Sequence, residues 1–229
     1  MRFEDLNWMD VESYLKNDDR LLIVIGACEE HGYLSLLTDI KIPLALATAA
    51  SQQTHVLIAP PLNFGISPYF AKYPGTISLR TQTFLAVVAD IVRWVYAQGF
   101  KRLLFINGHG GNGPATALLA ELVNELAGLK ADWYAWWVAP SVLAVAAEAG
   151  LHPNHANWLE AFSFCRVADL PAGVKPPTPT VRPILNADET RVAYGDGTFG
   201  GGPYVADDAI MRKIFDAAVA DIVTKLKFE

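Results

Sequence analysis

Short apolar runs alternate along this chain with longer stretches whose apolar residues recur at three- and four-residue spacing, and the two periods predict different elements. The run Leu21-Leu22-Ile23-Val24-Ile25 offers no polar position to water and reads as an interior strand of a parallel sheet. Residues 103–106 read the same way, and residues 55–59 and 132–138 complete the expected strands. Helices are expected over residues 10–16, 42–53 with a start near Pro43, 81–98 closed by Gly99, 114–129, 139–150, and 206 to about 225. Prolines recur between residues 171 and 183 and glycines between 194 and 203, which predicts an ordered surface excursion. This alternation of strand and helix specifies an α/β chain with a mostly parallel sheet covered on both faces.

Composition narrows the class. With 229 residues and 52% apolar side chains, residues 1–229 are expected to build one sizeable core and a single domain. The net charge of −6 and the scatter of Lys and Arg exclude a phosphate-backbone binder, so no nucleic-acid partner is expected. Cys28 and Cys165 are too few for a disulfide framework and fit a reducing compartment. No stretch reaches the roughly 20 uninterrupted apolar residues that cross a bilayer, and no signal segment is recognised. A cytoplasmic protein without membrane association is the expectation.

Two expected strands end in metal-ligand chemistry. Gly26 turns the chain out of the first strand toward Glu29-Glu30-His31-Gly32, with Asp39 following after a loop, and the second strand delivers Asn107-Gly108-His109-Gly110-Gly111-Asn112. Carboxyl ends of parallel strands are where open α/β sheets place ligands. Carboxylate and imidazole donors suit Zn²⁺, Mn²⁺ or Fe²⁺ better than a thiolate metal, and one Asp has two oxygens with which to bridge two ions. The bland alternatives are a helix-capping cluster for the first motif and an anion-cradling Gly-rich turn, hence a non-catalytic anion- or nucleotide-binding subunit, for the second. A third cluster, His155-Ala156-Asn157-Trp158-Leu159-Glu160, reads as opening a helix, with His155 in the loop and Glu160 turned inward, where it needs a partner. His55 and His152 are read as non-ligands, Cys28 as a packed thiol, and Trp133, Trp136 and Trp137 as core or pocket wall.

These motifs together resemble the creatininase (creatinine amidohydrolase) family. The matching segments are Glu29-Glu30-His31-Gly32 with Thr38-Asp39, Pro74-Gly75-Thr76-Ile77-Ser78-Leu79, Asn107 through Asn112, and His155-Ala156 with Glu160. The resemblance implies a three-layer α/β/α sandwich, assembled as a homo-oligomer, specifically a hexamer. It implies two divalent ions (Zn, Mn or Fe) per chain, with Glu29, Asp39 and His109 on one, His31, Asp39 and Glu160 on the other, and Asp39 as bridge. A water activated between them would attack a small-molecule amide, and His155 would be the catalytic proton shuttle. Gly110, Gly111 and Trp158 are assigned to the substrate pocket. Creatinine-hydrolysing members carry Tyr-Glu where this chain has Gly110-Gly111, and the loop from Gly32 to Leu37 is one residue short, so a substrate other than creatinine is expected. The expected reaction is hydrolysis of a non-peptide C–N bond in a cyclic or linear amide. The family alternative is peptidase-like maturation of a peptide-derived cofactor.

Overall fold

The computed structural model describes residues 1–178 and 184–229. Helix α1 (Trp8–Leu15) is opened by Asn7, whose side chain accepts from the amides of Met9 and Asp10 while Asp10 reaches back to the Asn7 amide, a capping box. There follow β1 (Arg20–Ile25), α2 (Thr38–Thr54), β2 (Leu57–Ile58), α3 (Thr81–Gln98), β3 (Arg102–Asn107), α4 (Ala115–Glu125), β4 (Lys130–Ala135) and α5 (Pro140–Glu148). The two-residue strands β5 (Val174–Lys175) and β6 (Gly202–Pro203) pair across the excursion that carries α6 (Ala187–Tyr194), and α7 (Asp208–Lys225) follows.

The sheet runs β2-β1-β3-β4 with every pair parallel. Successive side chains of β1 and β3 point to opposite faces, and both faces are apolar because both are covered. Leu22, Val24, Leu104 and Ile106 pack with α2, α5 and α7, whereas Leu21, Ile23, Leu103 and Phe105 pack with α3 and α4. The expected three-layer α/β/α sandwich is therefore the architecture found.

Several boundaries differ from the sequence reading for local reasons. Helix α2 begins at Thr38, not near Pro43, so Pro43 lies inside it and removes only the N–H that would have bonded the Asp39 carbonyl. The fourth strand stops at Ala135, because Trp136–Val138 form a 3₁₀ turn that buries Trp136. Helix α4 stops at Glu125, where Leu126 goes extended. The segment after His155 makes only the 3₁₀ turn Trp158–Glu160, not a helix. Helix α6 was not foreseen, and the Pro-rich segment expected between residues 171 and 183 lies partly outside the described residues.

Two glycines at the sheet's carboxyl edge set the next level of structure. A Cβ on Gly26, after β1, or on Gly108, after β3, would overlap the backbone carbonyl of Asp39. Their bare backbones let the first turn of α2 come down between the two strand ends, carrying the Asp39 carboxylate with it.

Candidate metal centre

Glu29, His31, Asp39, His109 and Glu160 converge at the carboxyl ends of β1 and β3, and all five are buried. His109 Nδ1 lies 3.2 Å from Glu29 Oε1 and 3.0 Å from Asp39 Oδ2. His31 Nε2 lies 3.0 Å from Asp39 Oδ1 and 3.6 Å from Glu160 Oε1. Within the trio Glu29, Asp39 and His109, and again within His31, Asp39 and Glu160, one donor atom per residue falls within 4.8 Å of the others, so each trio could hold a metal ion.

Neighbouring groups aim these donors. The other nitrogen of His109, Nε2, donates to the Ile66 carbonyl at 2.9 Å, with Ser67 Oγ at 3.3 Å, which leaves the Nδ1 lone pair for the cluster. His31 Nδ1 points at the Glu29 carbonyl, 3.4 Å away, so Nε2 faces Asp39 and Glu160. Asn107 grips the His109 backbone at both ends, and Asn112 ties Asn107 to the Gly26 carbonyl and accepts from the Ile66 amide. Glu160 Oε2 accepts from the Ala156 amide at 2.6 Å, and Ala156 is held at a φ of 55°, a strained value for a residue with a Cβ.

The electrostatics fit a cation. Burial pushes His31 down, and the Asp39 and Glu160 carboxylates outweigh it, holding the imidazole well above its ordinary range. His109 is likewise lowered by burial and raised further by Glu29 and Asp39. Burial raises Asp39, and the two imidazoles outweigh it, keeping the carboxylate charged. Despite this crowding, Glu29 Oε2, His31 Nε2 and Asp39 Oδ2 are buried without a hydrogen-bond partner. Orphaned buried polar atoms are costly, and three of them converging from hard oxygen and imidazole donors match a divalent ion of the Zn, Mn or Fe type.

A cavity of about 360 Å³ opens above the cluster. Glu29, Asp39, His109, His155 and Glu160 form its charged floor, and Trp137, Val138, Leu143 and Leu159 are prominent in its apolar walls. Gly110 lines it, and a Cβ there would meet only Trp137 at 4.0 Å. The other two expected pocket residues do not. Trp158 is fully buried in the core with its indole N–H bonded to the His152 carbonyl, and of the turn it starts only Leu159 and Glu160 reach the cavity. Gly111 lies behind His109, where a Cβ would overlap the Ile66 carbonyl oxygen and crowd the imidazole. The short loop after His31 does not enter the cavity: Leu34 is buried and pairs with Arg166, and the Ser35 amide bonds the Cys165 carbonyl.

The sequence reading passed over Glu30. Its alternation with Glu29 and His31 would turn it away from the cluster, yet it is buried, with Oε1 2.9 Å from His155 Nε2. Nothing local in the sequence marks that pairing, since the two residues come from opposite halves of the chain.

The family model for creatininase, creatinine amidohydrolase, matches residues 4–226. The chain belongs to the creatininase family. The family match and the creatinine amidohydrolase relatives make this chain a hydrolase acting on C–N bonds. Among similar proteins, the mycofactocin precursor peptide peptidase of Mycobacterium tuberculosis (strain ATCC 25618 / H37Rv) is 29% identical over 228 residues, covering 90% of this chain and 84% of that one. The creatinine amidohydrolase of Pseudomonas putida is 30% identical over 115 residues, 47% of this chain and 44% of the relative. A crystal structure of creatinine amidohydrolase superposes with a TM-score of 0.80 at 23% identity over 98% of this chain and 96% of the other. A mutant creatininase of Zn-Zn type gives 0.79 at 22% identity, over 99% and 96%.

Proposed function

We propose that this creatininase-family chain is a two-metal amidohydrolase that cleaves a non-peptide C–N bond in a small cyclic or linear amide. Glu29, Asp39 and His109 would hold one ion and His31, Asp39 and Glu160 the other, with Asp39 common to both trios. The observation that carries this reading is the pair of donor trios meeting at Asp39 with three buried atoms left unpartnered. A Zn-Zn form of a related fold agrees with it. When bound, two divalent ions supply a water deprotonated near neutral pH and positive charge for an oxyanion developing on the amide.

The chain's own residues do the rest. The apolar wall of Trp137, Val138, Leu143 and Leu159 takes the carbon part of the amide out of water and leaves the C–N group over the charged floor. His155, at the edge of that floor, hands a proton to the departing nitrogen. Of the two glycines only Gly110 borders the cavity, and creatinine is expected to be a poor substrate.

A second reading is favoured by one finding: the peptidase relative aligns over most of the chain. Peptide maturation would need a groove for several residues, and about 360 Å³ suits a small molecule better. The family resemblance supports a cytoplasmic homo-oligomer, specifically a hexamer, and the exposed Trp8 and Trp94 are the kind of surface an oligomer would cover. The test is a screen of formamides, lactams, creatinine and short peptides against protein reconstituted with Zn²⁺, Mn²⁺ or Fe²⁺. Turnover confined to small amides is expected, turnover confined to peptides selects the second reading, and a chain that takes up no metal overturns both.

A further inference from the structure

Glu30 belongs to neither donor trio, yet its carboxylate is held as tightly as theirs. Its Oε1 faces His155 Nε2 at 2.9 Å, its Oε2 accepts from the Gly32 amide at 3.1 Å, and its own amide donates to Thr76 Oγ1 at 3.0 Å. From the far side Gly197 presses its bare backbone on this carboxylate, and a Cβ there would overlap Oε2. The His155 ring is fixed as firmly. It stacks on Phe70 with centroids 4.8 Å apart and planes 12° apart, and Phe199 closes on it at 4.9 Å. Neither partner is free to turn away, so the hydrogen bond between them decides which ring nitrogen carries the proton.

We propose that Glu30 is the positioning residue for His155: its carboxylate holds the Nε2–H of the imidazole and thereby leaves Nδ1 as the nitrogen that takes up and releases the proton during C–N cleavage. A carboxylate accepts and never donates when ionised, so Nε2 must be the donor, and a neutral imidazole then has only Nδ1 as its base. A carboxylate behind a histidine is a recurrent way of fixing tautomer and orientation, and its loss with shape retained leaves the wrong nitrogen protonated. The proposal rests on His155 acting as the proton shuttle, but the tautomer itself is measured without reference to activity.

Glu30→Gln is the discriminating variant. Its amide oxygen must stay on the Gly32 N–H, because the reverse orientation sets two donors against each other. The NH₂ then faces His155 and donates to Nε2, which moves the imidazole proton to Nδ1. The chain has only five histidines, so two-bond ¹H–¹⁵N correlation spectra of ¹⁵N-labelled, zinc-treated protein at mildly alkaline pH are tractable, with His155→Gln identifying the signals of interest. In the wild type Nε2 is expected to be the protonated nitrogen, and in Glu30→Gln the assignment is expected to reverse while zinc content, measured by elemental analysis, stays the same. With an amide from the substrate screen, kcat should fall by about tenfold or more with KM unchanged, the split expected when a proton-transfer group is misaligned and binding is not. A wild-type His155 protonated on Nδ1, or one whose ring nitrogen shifts on zinc binding as a ligand's does, overturns the proposal even if Glu30→Gln fails to fold. Zinc uptake that fails altogether, with the Nε2 tautomer intact, would instead sink the two-metal reading and leave the Glu30–His155 pairing standing.

Discussion

His109 Nδ1 stands 3.0 Å from Asp39 Oδ2, a contact made between the end of one strand and the first turn of a helix. The other oxygen of the same carboxylate faces His31 at 3.0 Å. Asp39→Ala removes the one group common to both donor trios, and the expectation is two ions in the purified wild type and neither in the variant. Elemental analysis decides it, and two retained ions per chain would rule out a shared Asp39.

The neighbouring glycines of the His109 motif should respond differently to the same substitution. Gly110→Ala adds a methyl group to open cavity, so fold and metal content should be unchanged and only substrate preference should shift. Gly111→Ala drives a Cβ into the Ile66 carbonyl and the His109 ring, neither of which has room to move. Overpacking of this kind costs about 1–3 kcal/mol, and it should also lower zinc affinity by turning His109 off its aim. Thermal unfolding and zinc titration of the two variants check this; equal behaviour would refute the placement of Gly111 behind the imidazole.

The parts of the site that were legible in the sequence are those fixed by period and local chemistry. Uninterrupted apolar runs marked β1 and β3, and a strand end is a place where Glu29, His31 and His109 have few directions to point. Asp39 was legible as a donor but its seat was not, because Pro43 suggested a helix start and the helix in fact begins one residue before Asp39. Trp158 was misplaced since its side depends on whether residues 158–160 make an α or a 3₁₀ turn, and propensity does not separate these. Glu30 was invisible for a different reason. Its partner His155 lies 125 residues away along the chain, and long-range pairing of that kind leaves no local signal.

The opposite edge of the sheet offers a pH-dependent test that leaves the site alone. Arg20 and Arg102 are register partners at the starts of β1 and β3, and Asp18 accepts from both. Burial raises the Asp18 carboxyl, and the Arg20 guanidinium and amide outweigh it, so the folded-state value lies below the ordinary carboxylate range. A carboxyl lowered on folding contributes stability that is present above its unfolded value, about 4, and is lost as pH falls through the folded one. Asp18→Asn should therefore cost about 1–2 kcal/mol at pH 7, the scale of charge-assisted hydrogen bonds reduced by partial exposure. The gap to wild type should shrink as pH drops below about 4. Urea unfolding at several pH values reads this, and a gap that widens on acidification would contradict the assignment.

The final expectation separates proton transfer from metal holding. His155 faces the floor of the cavity and lies close enough to Glu29 and His31 to have been a third member of a metal-binding trio. Its Nε2 is instead engaged by Glu30, and its ring stacks on Phe70 with Phe199 tilted against it, so its orientation does not depend on an ion. Removing a ligand and removing a proton shuttle have different signatures. On the proposed two-metal reading His155→Ala should keep the metal content of the wild type, since Glu29, His31, Asp39, His109 and Glu160 would supply the ligands without it. Turnover of the best amide from the screen should fall by about 10²–10⁴-fold, the usual scale for a general acid–base group. A small amine supplied in the buffer should restore part of that loss, by carrying the proton through the space the imidazole leaves. A variant that loses an ion would make His155 a ligand, and one that keeps full turnover would move the proton-transfer role to another residue.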